Sequence, residues 1–153
     1  METITTKETA GVLEDLIRIN NDRIEGYEKA LKDLKAEDSD LRMIFLKAID
    51  QSRTIRSTLG RELQTLGSDI PTGTSGSGSI HRAWLELKAT FTGHSRHAIL
   101  ASCEFGEDAI QKAYESALSG EHLPEYLSTI VLQEKTELRG VHDEIRALRD
   151  RAA

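Results

Sequence analysis

The sequence predicts an all-α protein in which four long helices are divided two and two by a long connection. Apolar residues recur at steps of three and four through four separate stretches of the 153-residue chain, which is the spacing of one helix face. Two prolines and 5% aromatic residues disfavour a β-sandwich and favour long, uninterrupted helices. A stretch rich in glycine and serine separates the second helical pattern from the third.

Composition indicates one folded domain, residues 1–153, and excludes several function classes. A hydrophobic content of 38% with 30% charged residues is typical of a folded helical protein. The net charge of −6 argues against nucleic-acid or anionic-membrane binding, because both require clustered lysine and arginine. Neither a signal peptide nor a membrane-spanning apolar run is recognisable, and the single cysteine, Cys103, excludes an internal disulfide. We therefore expect a cytoplasmic protein without a membrane or nucleic-acid partner.

The first two helices are predicted over residues 6–35 and 39–66. Thr5 and Glu8 have the spacing of a capping box at the start of the first helix. Gly67 ends the second helix. Because only a few residues separate these helices, they should form an antiparallel hairpin.

The second half of the chain is predicted as a flexible linker, a short amphipathic helix and two long helices, over residues 67–79, 80–92, 96–119 and 124–150. The connection before the third long helix has about 28 residues and reaches roughly 40 Å if half of it is helical. It can therefore traverse the bundle, so that the third helix begins at the end opposite to where the second finished. This is the wiring of a ferritin-like four-helix bundle with a long crossover between helices two and three.

Four glutamates on the last two helices are candidate metal ligands: Glu104, Glu107, Glu134 and Glu137. Residues at positions i and i+3 share a helix face, so each pair can reach one ion. Counting about 1.5 Å per residue from a turn centred near Glu121 puts Glu104 beside Glu137. The same count puts Glu107 beside Glu134.

The first two helices lack the other half of a di-iron site. Such a site needs carboxylates on all four helices and a Glu-x-x-His sequence on two of them. Asn20 and Ser52 stand at the corresponding depth, and neither is an effective iron ligand. Ile55 occupies the place of a histidine, and His142 is expected to point away from the glutamates.

Two interpretations of the four glutamates stay open. In the first, they bind one ion of iron or manganese, with Asn20 or water completing the coordination. In the second, Arg53 and Arg56 of the second helix neutralise them across the core, or water solvates them. We favour the second interpretation, because a site made only of carboxylates lacks the affinity that imidazole supplies.

Three further residues on the apolar faces have a predicted role. Trp84 lies at the centre of the short helix, where it either anchors this helix to the bundle or binds a protein partner. Gly106 is expected to make room for a bulky neighbour such as Trp84 or Tyr27. Cys103 should be a buried core residue and not a nucleophile.

Three stretches of the chain carry a family resemblance, namely residues 22–30, 77–85 and 104–118. They resemble a bacterial family of four-helix-bundle domains of unknown function within the ferritin-like superfamily. The resemblance covers nearly the whole chain and implies a ferritin-like fold, bacterial origin and no assigned reaction.

The sequence thus predicts a ferritin-like bundle without established catalysis that acts as an interaction or stress-associated protein. The stress role rests on analogy with ferritin-like relatives. We expect a homodimer or a higher oligomer, with a protein partner that the sequence does not identify. The alternative is a degenerate oxidase or peroxidase that holds iron or manganese on the four glutamates.

Overall fold

Helices make up all the regular secondary structure in the described part of the computed structural model, which comprises residues 5–75, 80–84 and 95–152. The all-α prediction is therefore confirmed. None of these helices is both long enough and apolar enough to cross a membrane. The four long helices are α1 (Thr6–Asp33), α2 (Ser39–Thr65), α3 (Arg96–Ser119) and α4 (Glu125–Arg151), with a short 3₁₀ helix at Ala36–Asp38. Residues 80–84 are also helical, and we call them the crossover segment.

The ends of the long helices lie within two residues of their predicted positions. Thr5 caps α1, because its Oγ1 accepts a hydrogen bond from the backbone N–H of Glu8 at 3.1 Å. Ser95 caps α3 in the same way through the N–H of Ala98 at 3.2 Å. Gly67 ends α2 with a φ of +84°, a conformation that favours glycine. The predicted helix over residues 80–92 lies outside the described residues beyond position 84.

Extensive packing joins α1 to α2 and α3 to α4, and smaller contacts join α1 to α3 and α2 to α4. Arg96, at the start of α3, donates to Asp38 Oδ1 at 2.9 Å and to Asp40 Oδ1 at 3.1 Å, at the start of α2. These two helices therefore begin at the same end of the molecule. Because α2 is 27 residues long, its other end lies about 40 Å away.

Trp84 lies between α1 and α3 and is 3% exposed. A Cβ atom on Gly26 would lie 2.9 Å from the indole ring, and one on Gly106 would lie 3.0 Å from it. The prediction that Gly106 makes room for a bulky neighbour is thus confirmed. The ring also contacts Tyr27 edge-on, with 5.0 Å between the ring centroids. The described position is that of an anchor, and a partner would reach this ring only after the crossover segment had left the bundle.

The described part of the predicted flexible linker, residues 67–75, lies against α1. Asn21 Nδ2 donates to the carbonyl oxygen of Gly73 at 2.9 Å, and the N–H of Ser75 donates to Asp22 Oδ2 at 3.3 Å. Asp22 Oδ1 also lies 3.2 Å from His81 Nδ1 in the crossover segment. The residues that bind this segment belong to α1, so the composition of the linker alone could not predict these contacts.

Cys103 belongs to the core, as predicted, with no exposed surface. Burial raises the pKa of its thiol, and the nearby charge of Glu107 raises it further. The thiol therefore stays protonated at neutral pH, which makes it a poor nucleophile.

Candidate functional site

Buried polar side chains from all four helices meet in the core, and we call them the central network. Each member is at most 6% exposed. The members are Asn20, Arg23 and Tyr27 of α1, Ser52 of α2, Glu107 and Tyr114 of α3, and Glu134 of α4. Buried polar groups of this kind are stable only when they are hydrogen-bonded, so their partners define what the site can do.

The ion pair between Arg23 and Glu107 holds this network together. Arg23 Nε donates to Glu107 Oε2 at 2.8 Å, and Nη2 donates to Oε1 at 2.9 Å, so that the pairing is bidentate. The hydroxyl of Tyr27 donates to Oε2 at 2.9 Å. Burial alone would lower the pKa of Arg23, but the Glu107 carboxylate outweighs it and holds this pKa above its usual value. The guanidinium therefore stays charged in the core.

The remaining terminal nitrogen of Arg23 ties α1 to α2. Its Nη1 lies at hydrogen-bond distance from three acceptors on α2: the carbonyl oxygen of Ala48 at 3.2 Å, Gln51 Oε1 at 2.9 Å and Ser52 Oγ at 3.0 Å. One side chain of α1 thus binds both α2 and α3. The positive charge of this guanidinium also repels a cation.

A chain of hydrogen bonds continues from Ser52 to α4. Ser52 Oγ donates to Asn20 Oδ1 at 2.9 Å, and Asn20 Nδ2 donates to the hydroxyl oxygen of Tyr114 at 3.1 Å. Tyr114 in turn donates to Glu134 Oε1 at 3.3 Å. The predicted equal depth of Asn20 and Ser52 is confirmed by their hydrogen bond, and both belong to a polar network.

Arg53 and Arg56 do not neutralise the glutamates, so this prediction is wrong. Arg53 donates to the exposed Glu28 at 2.8 Å, and Arg56 donates to Asn21 Oδ1 at 3.1 Å. Arg23 has this role for Glu107, and Arg146 and Arg149 have it for Glu104. The signal was present in the sequence, because Arg23 follows Asn20 by three residues and precedes Tyr27 by four, which puts all three on one helix face.

Glu104 lies beside the C-terminal part of α4. Its Oε1 is 3.4 Å from Nε of Arg146, and its Oε2 forms an ion pair with Arg149. The count from the turn assumed a centre near residue 121. Residues that contact each other across α3 and α4, such as Tyr114 and Glu134, are equally far in sequence from a position about three residues after this assumed centre. The residue of α4 that lies at the same depth as Glu104 therefore comes well after Glu137 in the sequence.

A different acid and histidine set comes together between α3 and α4. Glu104, Asp108 and His142 each offer one ligand atom, and these atoms lie within 4.8 Å of one another. His142 is 1% exposed, with Nε2 at 2.5 Å from Asp108 Oδ1 and Nδ1 at 2.9 Å from Asp143 Oδ1. The expectation that His142 points away from the glutamates is therefore wrong for Glu104. Asp108 was missed, although it lies four residues after Glu104 on the same face of α3.

This cluster meets part of the requirement for a metal site. Two carboxylates and an imidazole are ligands that suit iron and manganese. Glu104, however, is already paired with Arg146 and Arg149, and an ion would have to displace both.

Glu134 ends the central network in a depression between α2 and α4, and Glu137 lines the same depression. Burial raises the pKa of Glu134 to about 8, an effect that the Tyr114 hydrogen bond opposes and the charge of Glu137 increases. Glu134 is 6% exposed, whereas Glu137 is exposed. The four predicted ligands thus occupy three places: Glu107 beside Arg23, Glu104 beside His142, and the other two at this depression.

A family model described as a domain of unknown function (DUF2383) matches residues 8–120. The matched range includes nearly all of α1 and the whole of α2 and α3. Comparison with curated proteins gave no match, and neither did comparison with solved structures.

Proposed function

The chain belongs to this family of domains of unknown function, and we propose that it is a ferritin-like bundle that acts through interactions and not through catalysis. The observation that carries the proposal is the buried pair of Arg23 and Glu107. Metal-dependent ferritin-like proteins hold their ions between inward-pointing carboxylates and histidines. In this chain the core instead holds a guanidinium, which is bound to one of those carboxylates. Because this cation belongs to a side chain, it can leave the core only if the protein unfolds.

The ferritin-like wiring is supported by the common end of α2 and α3, which the contacts of Arg96 define. Two helices that follow each other in sequence and begin at the same end need a connection along the bundle, as ferritin-like folds have. The pairing of α1 with α2 and of α3 with α4 agrees with that arrangement.

Self-association is the interaction that we propose, as a homodimer or a higher oligomer. Large apolar side chains lie exposed on the outer surface, and Met43 and Leu46 share one face of α2 with 73% and 50% of their surface exposed. Light scattering measures the mass directly, and a monomer at micromolar concentration would refute this part of the proposal.

A carboxylate-bound metal protein, resembling an iron or manganese oxidase or peroxidase, is the second candidate. The observation that favours it is the approach of Glu104, Asp108 and His142 to within 4.8 Å. If an ion binds there, Glu104 and Asp108 supply charge and His142 supplies imidazole. The ion would then act as a Lewis acid or a redox centre.

Anaerobic titration with Fe(II) or Mn(II) distinguishes the two candidates. We expect substoichiometric uptake by the wild-type protein, unchanged in a His142→Ala variant. Uptake of one ion per chain that His142→Ala abolishes would support the metal protein at this cluster. Uptake that survives His142→Ala and is lost in Glu134→Gln with Glu137→Gln would place the ion at the depression. Either result would refute the proposal that the protein acts through interactions without a bound metal ion.

A further inference from the structure

A groove of about 420 Å³ lies on the outer face of α3, next to the crossover segment. The α3 residues that line it are Phe105, Asp108, Ala109, Lys112, Ala113 and Ser116. Ile80 of the crossover segment also lines it. This volume falls within the range of roughly 300–1,000 Å³ that is typical of pockets for bound groups. The groove is therefore large enough to receive a side chain from outside.

The side of the groove next to the crossover segment is apolar. Ala109 and Ala113 follow Gly106 by three and seven residues, so they share its side of α3. The ring of Trp84 would lie 3.0 Å from a Cβ atom on Gly106, which puts the crossover segment on that same side. The methyl groups of the two alanines therefore lie on the side of the groove to which Ile80 belongs.

The side of the groove next to α4 carries one acid and one base. Asp108 Oδ1 lies 2.5 Å from Nε2 of His142 on α4, and the side chain of Asp108 is still 47% exposed. Lys112 follows Asp108 by four residues, so the two share this side. Lys112 is exposed, and it forms no ion pair with the residues that the structure describes. Its charge is therefore available to a carboxylate from outside.

Phe105 stands at one end of the groove with 58% of its surface exposed. A large aromatic side chain that is exposed beside a groove is typical of a contact with another protein. Ser116 lines the other end, about 16 Å further along the helix. Because Ala109, Ala113 and Ser116 have small side chains, the groove stays open between these ends.

We propose that this face of α3 joins two copies of the chain, packed antiparallel about a twofold axis near position 110. The inference rests on the self-association proposed above and assigns it to one surface. Residues equally far from the axis, on opposite sides of it, then face each other. Phe105 of each copy enters the open end of the other copy's groove, beside Ser116, and Ala109 packs on Ala113.

The charged side of the groove is complementary to itself in this arrangement. A twofold axis perpendicular to two antiparallel helices keeps each residue on its own side of the contact face, so the charged sides of both copies meet. Asp108 of one copy then faces Lys112 of the other, and symmetry forms the same pair again. A parallel twofold pair would instead put the charged side of one copy against the apolar side of the other.

Sedimentation equilibrium with the full chain measures the dissociation constant of this dimer. Phe105→Asp puts a charge into the groove of the other copy, and we expect it to weaken the dimer by about tenfold or more. Leu132→Asp, the same change at an exposed residue of α4, should leave the constant unchanged. Both positions are more than half exposed, so both variants should keep the fold, which circular dichroism checks.

Mixing two charge variants tests the antiparallel pairing. Asp108→Lys puts two lysines against each other, and Lys112→Glu puts two acids against each other, so each variant alone should dimerise weakly. Mixed in equal amounts, the two variants should form a heterodimer, because both contacts again join opposite charges. Recovery on mixing also shows that each variant is folded.

Met43→Ser combined with Leu46→Ser distinguishes the groove from the exposed apolar face of α2, and it should leave the dimer intact. Loss of the dimer in that variant, with its survival in Phe105→Asp, would overturn the inference and keep the proposed self-association. Failure of the two charge variants to form a heterodimer would also overturn the antiparallel pairing. A monomeric wild-type protein would refute both proposals and leave the groove to another occupant.

Discussion

Arg23 is the largest side chain in the molecule's described part to lie fully buried, and its charge is balanced by Glu107. A buried ion pair adds little net stability, because removing two charges from water costs almost as much as their attraction returns. The contribution of this ion pair is instead to specify one arrangement of the helices. The planar guanidinium fits only if α1, α2 and α3 present their acceptors at the same depth, so the pair selects one register of these helices.

Removing one member of this pair should be far more damaging than removing an exposed pair. Arg23→Met leaves Glu107 charged and buried, so we expect a loss of about 3–5 kcal/mol in the free energy of unfolding. Arg53→Met, which breaks the exposed pair with Glu28, should cost no more than about 1 kcal/mol. Urea unfolding measures both.

A double variant separates the cost of the buried charge from the loss of packing. Arg23→Met combined with Glu107→Met should recover much of the stability lost in Arg23→Met alone. If the single variant were as stable as the wild type, the ion pair would not have the role described.

At the scale of secondary structure, two glycines set how closely the crossover segment approaches the bundle. Gly26 on α1 and Gly106 on α3 leave a notch that the ring of Trp84 fills from outside. Glycine in a helix interior costs up to about 1 kcal/mol relative to alanine. That cost is offset here by close packing of an indole ring, which explains why glycine stands at both positions.

Alanine at Gly106 should destabilise the protein despite its higher helix propensity. Its Cβ would lie 3.0 Å from the Trp84 ring, so the crossover segment must shift, and we expect a net loss of about 1–2 kcal/mol. The fluorescence of the single tryptophan should move to longer wavelength as the ring becomes exposed. Thermal unfolding and the emission spectrum measure these effects.

Gly140→Ala is the matched control, because nothing lies within 4 Å of a Cβ at that position of α4. This change should stabilise the protein by up to about 1 kcal/mol and leave the emission spectrum unchanged. A stabilising Gly106→Ala with unchanged emission would show that the ring does not depend on this notch.

At the scale of the whole molecule, the direction of α3 decides the architecture. The ion pairs of Arg96 with Asp38 and Asp40 put the starts of α2 and α3 at one end. A simple up-and-down bundle would instead put the start of α3 beside the end of α2. The two arrangements contain the same four helices and differ in the path of the connection.

Distances between spin labels distinguish these arrangements. Glu37, Gln64 and His97 are exposed, and each can be replaced by cysteine in a Cys103→Ala background. We expect the 37–97 pair to be the shorter by far, with the 64–97 pair separated by roughly 40 Å, the length of α2. A short 64–97 distance would rule out the ferritin-like wiring.

The candidate site was predictable in part. Asn20 and Ser52 interrupt apolar helix faces, and counting from a short turn placed them correctly at one depth. The count failed across α3 and α4, because contacts such as that of Tyr114 with Glu134 are centred about three residues beyond the assumed middle of the turn, so the two helices do not leave their turn at equal levels. Because the count was wrong by a few residues, it predicted Glu137 as the partner of Glu104, whereas the structure has Arg146 and Arg149 there.

The sequence by itself determined the four long helices and most of their ends, since helix periodicity and capping depend on residues three or four apart. The tertiary structure decided which polar groups meet. It put Arg23 on Glu107, His142 beside Glu104, and Tyr114 beside Glu134. Such contacts join residues far apart in the chain, and they depend on the register and rotation of whole helices, which only the packing of all of them together determines.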